Sequence, residues 1–359
     1  MSRRLHGLVV GAMLMLAPGV TAALGQTPAR PLPSWAYPVP AGFGRRGPAG
    51  ARGFRGGRRG GRRGPARGPA GPTPTRAQLN AIGPLQHVPG SSAGYTTAYI
   101  ANLYNPPDWF PNDHPAMPPV VADGNPAEGV RACAYCHLPD GLGRPENESV
   151  AGLSVDYILG QLADFQDGLR HSASPGMGSV AFMVRTAKAV SPAEARAAAE
   201  YFASLKLTPW IRVIETATVP KTVPDGGMLV VAPGGGTEPI GDRVIEVSVN
   251  QKLTELRDPR SGFIAYAPPG SVARGRMLVT TGGNGVTIRC AICHGPDLRG
   301  LGNVPPIAGR SPTAMARQLI DIQTGARNGP WDQLMKEPVR KLTDHDIVDI
   351  VAYLASLKP

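Results

Sequence analysis

CAYCH at 133–137 and CAICH at 290–294 are the stretches whose reading decides how this chain folds. They hold all 4 cysteines among the 359 residues, and each pair is spaced C-x-x-C with a histidine next in line. In this pattern each thiol can add to one vinyl group of a single haem, and the adjacent imidazole lies where it can coordinate the iron. A four-cysteine zinc site needs its two pairs roughly 15 to 20 residues apart, whereas here a whole domain's length separates Cys136 from Cys290. A thioredoxin-like pair needs a βαβ setting, and none is visible. The motifs therefore predict two covalently bound haem c groups, one on Cys133, Cys136 and His137 and one on Cys290, Cys293 and His294.

The spacing extends beyond the motifs. The offset from Cys133 to Cys290 also pairs His137 with His294, Gly143 with Gly300, Gln161 with Gln318, and Arg170 with Arg327. After a short deletion a second offset pairs Met183 with Met335, Ser191 with Thr343 and Tyr201 with Tyr353. Two copies of one domain are present.

Each copy closes on a helix with clear start signals. Ser191-Pro192-Ala193-Glu194 supplies an N-cap serine, proline at the first helical position and a glutamate three residues on. Thr343-Asp344-His345-Asp346 places acids in a first turn, and Ile347, Ile350, Val351 and Leu354 follow with helical period. The stretches 158–165, 272–279 and 315–322 have the length and period of further helices.

Histidine on one side of the iron leaves a sixth position to fill. Ten methionines are available, so repeat symmetry is the filter. Met183 and Met335 each stand eight residues before the cap of the last helix, whereas Met117, Met177, Met228 and Met277 have no counterpart in the other copy. Met183 and Met335 are thus the expected distal ligands, because a thioether opposite histidine raises the potential as a carrier requires. His87, His114, His171 and His345 share no ligand-like spacing, and Trp331 is expected against the haem edge or the core.

The net charge of +11 belongs to one end of the chain. Residues 1–76 contain 13 arginines and neither acids nor lysine, which leaves the remainder close to neutral. Residues 1–24 read as a secretory signal, with Arg3 and Arg4 ahead of an apolar run and small residues at 21–23. Residues 25–78 read as a disordered Arg/Gly/Pro-rich tail with too few bulky apolar residues to fold. Export removes nucleic acid as its partner, so an anionic membrane surface or an acidic protein is the electrostatic alternative to a passive spacer. Between the copies, 211–269 is too long for a plain linker. Ile245, Val247 and Val249 alternate with polar residues there, and 228–231 and 263–266 are short apolar runs, so a small β excursion is expected.

The runs CAYCHLPDGLG, YILGQLADFQDGLR and AEYFASL in the first copy, with CAICHGPDLRGLG, PPIAGR, RQLIDIQTGAR and VAYLASL in the second, resemble the halves of diheme class I c-type cytochromes of bacteria. The resemblance covers 129–207 and 270–357. It implies a mainly α fold of two small helical haem domains in tandem, at 79–210 and 270–359. It also implies His137 with Met183 on one iron and His294 with Met335 on the other. The first copy departs from the pattern: the family's helix before the first cysteine fits 271–281 in copy two, but in copy one 96–104 is followed by a Pro-rich loop.

The expectation is an exported, periplasmic carrier with no enzymatic activity. It would pass single electrons between a periplasmic donor, a dehydrogenase or quinol-oxidising complex, and a terminal acceptor such as an oxidase. The alternative is a diheme peroxidase-like enzyme reducing hydrogen peroxide, which needs one displaceable distal site.

Overall fold

The computed structural model describes residues 31–39 and 75–359. The expected signal segment and the arginine-rich centre of the tail lie outside the described residues. Among the described residues no helix is long and apolar enough to cross a membrane. The architecture is mainly helical, with β structure confined largely to the region between the copies.

In the first copy the helix of the haem motif, Cys133–His137, is followed by Val155–Gln166, Gly178–Ala189 and Pro192–Ser204. The second repeats the order with Ala291–His294, Pro312–Thr324, Gln333–Val339 and Asp344–Ser356. The closing helices start where their caps require. The Ser191 and Thr343 hydroxyls accept from the backbone N–H three residues on, and Glu194 and Asp346 reach back to the cap residue's own N–H.

The second copy has one more long helix, Ser271–Thr281, laid across Asp344–Ser356. The crossing is close because residue 275 is glycine. A Cβ there would stand 1.9 Å from the Asp349 carbonyl oxygen, so any side chain forces the helices apart. Arg274 locks the contact with two hydrogen bonds to the Asp349 carboxylate, at 2.7 and 2.8 Å. In the first copy the helix before the motif is only Pro119–Ala122, and the expected 96–104 element shrinks to Thr97–Ile100. Prolines at 106, 107, 111, 115, 118 and 119 explain the shortening, since each removes a backbone donor.

The region between the copies does form strands. Ile211–Glu215 pairs in parallel with Phe263–Ala267, which pairs antiparallel with Ile245–Ser248. Two small ladders join Thr218–Pro220 to Thr237–Pro239 and Thr222–Asp225 to Met228–Val231. The alternation around 245–249 is only partly realised: Glu246 is buried between Ile245 and Val247, and Val249 is exposed. Glu246 is held inside because its carboxylate accepts from the Ser311 and Thr313 hydroxyls and the Thr313 N–H, at 2.7, 2.5 and 3.2 Å. It thereby tethers the strand to the start of helix Pro312–Thr324.

Part of the stretch expected to be disordered is packed instead. Trp35, Ala36 and Tyr37 are buried in the same apolar cluster as Met177, Met315 and Ile320. The Tyr37 hydroxyl donates to Asp321 Oδ1 at 2.7 Å, and Arg317 donates to the Ala36 carbonyl at 3.0 Å. Two adjacent-but-one aromatic side chains supply the burial that the surrounding Pro/Gly composition hid. Arg76–Asn80 is likewise a helix, capped by Thr75.

The two copies meet along a seam built from repeat-matched residues. Arg170 and Arg327 face each other in an antiparallel bridge. The His171 N–H donates to the Ala326 carbonyl and the Asn328 N–H to the Leu169 carbonyl, both at 2.8 Å. Arg170 donates to Gln161 in its own copy and Gln318 in the other, at 2.7 and 3.0 Å. Arg327 donates to Gln318 at 2.9 Å and to the Tyr157 hydroxyl at 3.0 Å.

Candidate haem sites

Both histidines of the C-x-x-C-H motifs are held the same way. His137 Nδ1 donates to the Glu148 carbonyl and His294 Nδ1 to the Pro305 carbonyl, each at 2.8 Å. Each acceptor lies eleven residues beyond its histidine. The turn that brings it back is pinned by the Gly143 N–H donating to the His137 carbonyl and the Gly300 N–H to the His294 carbonyl, both at 2.9 Å. A proton committed to Nδ1 leaves the Nε2 lone pair free to bind a metal. Burial lowers both imidazole pKa values, outweighing the backbone hydrogen bonds that would raise them, so each ring is held neutral as a ligand must be.

Beside His137 a cavity of about 750 Å³, counting the space at its mouth, is lined by Leu153, Ile158, Phe165 and Met183. Met183 thus shares one cavity with His137, although the two are far apart in sequence. Arg170 and Arg317 also line it. Arg317 donates to the backbone oxygens of Ala36 and Pro145, and Arg170 to amide oxygens, so their hydrogen-bond partners are neutral, while Glu146 and Glu148 also stand on the lining. The four cysteines form no disulfide, and burial pushes Cys133 up to about 12 and Cys290 up to about 11. Free thiols, a neutral imidazole, apolar walls and cations for carboxylates fit a covalently attached haem.

In the second copy Met335 and Cys290 both lie partly buried against one core that includes Leu298 and Val339. The other methionines are accounted for differently. Met177 is 2 % exposed and belongs to that core, Met228 packs with Trp210 and Phe263, Met117 packs against Val120 and its neighbours, and Met277 is exposed. Among the described residues, the rings of His87, His114 and His345 have protein partners, the Ala93 carbonyl, Asp108 and Asp242, whereas His171 is exposed and joins the seam through its backbone N–H. Trp331 lies exposed, not in the protein core. Arg317 opens the run RQLIDIQTGAR, yet its repeat counterpart is Gly160 and nothing in the sequence pointed it to the first copy's cavity, whereas Arg170 and Arg327 stood out as a repeat-matched pair.

Residues 272–358 match the family model described as cytochrome c. Over 68 residues the chain is 37 % identical to cytochrome c-554(548) of Halomonas halodenitrificans, covering 19 % of this chain and 82 % of that protein. The chain belongs to the cytochrome c family. This cytochrome is also 26 % identical over 246 residues to cytochrome c4 of Azotobacter vinelandii, covering 66 % of this chain and 90 % of the relative. A thiosulfate dehydrogenase electron acceptor from Thiomonas intermedia is 25 % identical over 228 residues, 63 % of this chain and 78 % of that protein. With its two haem motifs, this cytochrome is a diheme electron carrier that takes two haem c groups.

Proposed function

We propose that the chain is an exported, periplasmic carrier whose irons are both ligated by histidine and methionine. Cys133, Cys136, His137 and Met183 serve the first haem, and Cys290, Cys293, His294 and Met335 the second. The observation that carries this reading is the placing of His137 and Met183 on one cavity while Met177 is consumed by the core. Once bound, haem supplies a one-electron Fe(III)/Fe(II) couple. The residues set its conditions. The Nδ1–carbonyl bonds orient the imidazoles, the apolar residues of the walls limit water, and Arg170 and Arg317 would supply positive charge for the carboxylates of a bound haem. The resemblance to an acceptor of thiosulfate dehydrogenase supports a periplasmic dehydrogenase as donor, with a terminal acceptor downstream. The domains run 79–210 and 270–359, with 211–269 as the strand-bearing insert.

Acid-acetone extraction of the denatured protein leaves both haems attached. Met183→Ala and Met335→Ala each abolish the methionine-to-iron band of one haem and lower its potential, while Met177→Ala leaves both bands intact. A band that disappears in Met177→Ala sinks the assignment.

A further inference from the structure

The faces beside the two haem motifs use matching positions that are half-buried in the first copy and exposed in the second. The second residue between the cysteines is Tyr135 in copy one and Ile292 in copy two, and the residue before the proposed axial methionine is Phe182 and Leu334. In the first copy both rings are roofed. The Arg257 guanidinium lies 3.6 Å from the Tyr135 ring centroid and donates to the Tyr135 carbonyl. Arg131 and Arg185 stand 3.8 and 4.4 Å from that of Phe182. The turn carrying Arg257 belongs to the insert and is fastened to the loop before Cys133. Trp109 Nε1 donates to the Leu256 carbonyl at 2.8 Å, and Arg260 stacks on Phe110 at 3.5 Å while pairing with Asp113.

Among the described residues the second copy has no such roof. Ile292 is 57 % and Leu334 67 % exposed, with Ile288 at 41 % and Trp331 at 58 %. They form one neighbourhood. The Thr287 hydroxyl donates to the Pro338 carbonyl at 2.7 Å, joining the stretch before Cys290 to the helix on which Leu334 sits one turn away. The Leu334 N–H donates to the Trp331 carbonyl at 3.3 Å, and the Ile292 N–H to the Arg289 carbonyl at 3.1 Å. Exposed Arg289, Lys336 and Lys341 are interleaved with these side chains. A contiguous apolar face with a cationic rim marks a protein contact, and its charge selects an acidic partner. The arginine-rich segment of this chain carries charge of the same sign as the rim.

We propose that partner proteins exchange electrons with this chain only through the second copy. There Ile288, Ile292, Trp331 and Leu334 receive a redox protein with an acidic docking face, while the insert turn around Arg257 closes the matching face of copy one. This rests on the haem assignment above. Each productive encounter oxidises a donor by one electron and reduces one iron of this chain by one.

The probe is flavodoxin, a small acidic one-electron carrier, with the full diheme protein. Its binding affinity at low salt is measured first, and the rate of reduction by its photoreduced form second. Leu334→Glu and Lys336→Glu weaken binding tenfold or more and slow reduction in proportion. Arg185→Glu, the same charge change on the first copy's face, leaves binding within twofold. Added salt weakens binding of the unaltered protein. Arg185→Glu matching the loss in Lys336→Glu, or salt-independent binding, overturns the proposal. Should Leu334→Glu fail to fold, Lys336→Glu and Arg185→Glu still decide. Dithionite spectra of every variant show two reduced, methionine-ligated haems, and their failure would indict the haem assignment instead.

Discussion

The two copies carry the same haem-binding turn on different supports. In the second, Ser271–Thr281 crosses Asp344–Ser356 at Gly275, and these long helices carry a core that also takes in the insert strand Ile245–Ser248 and the Trp35–Tyr37 segment. In the first, a four-residue helix stands in that place, and packing is imported from the loop around Trp109, from the insert turn at 253–260, and from Arg310, which donates to the Ser149 and Ala151 carbonyls. Yet the histidine–carbonyl bonds agree to the same distance. What a haem turn requires is local: a neutral imidazole, a returning carbonyl and glycines that let the chain turn back. The scaffold around it can be exchanged.

That contrast can be broken most forcefully at Gly275. Gly275→Ala puts a methyl against the backbone of Asp349, and we expect destabilisation at the upper end of the ~1–3 kcal/mol typical of overpacking. Thermal unfolding should show the second haem's spectrum lost first and the first copy's retained. Simultaneous loss of both would mean that the first copy leans on the second more than its own contacts indicate.

A smaller effect sharpens the comparison between two matched aspartates. Burial raises Asp140 to about 7, against its backbone hydrogen bond from Leu142. Its counterpart Asp297 is exposed. The folded protein keeps the Asp140 proton up to about pH 7, whereas the unfolded chain, with its ordinary value of 3.8, releases it much earlier. Stability should therefore fall as pH rises from about 4 to about 7 and level off above that. Denaturant titrations of Asp140→Asn across this range should lack the decline, while Asp297→Asn should shift stability by less than ~0.5 kcal/mol at every pH. A decline that persists in Asp140→Asn would place its origin elsewhere.

The repeat made most of this legible, because a haem motif fixes covalent attachment and one ligand within five residues, and matched methionines stand out against unmatched ones. A capping box marked the first closing helix, and acids in the first turn with an apolar stripe behind them marked the second. Of the strands of 211–267, those at 228–231, 245–248 and 263–267 showed as short apolar or alternating runs, but Glu246 was hidden, since a buried carboxylate depends on the Ser311 and Thr313 hydroxyls brought to it by the fold. Trp35 and Tyr37 were hidden in another way. They occupy a composition too rich in proline and glycine to suggest packing, and their partners Asp321 and Arg317 lie nearly three hundred residues on. The roof over Tyr135 was equally invisible, as Arg257 arrives from a different region of the chain.

The haem assignment is tested most directly by proton NMR of the fully reduced diheme protein. A methionine methyl lying over a porphyrin face is shifted far outside the normal envelope by the ring current. We expect two such methyl resonances, one abolished in Met183→Ala and the other in Met335→Ala, with both present in Met177→Ala. A single shifted resonance, or one that vanishes in Met177→Ala, would contradict paired histidine–methionine ligation.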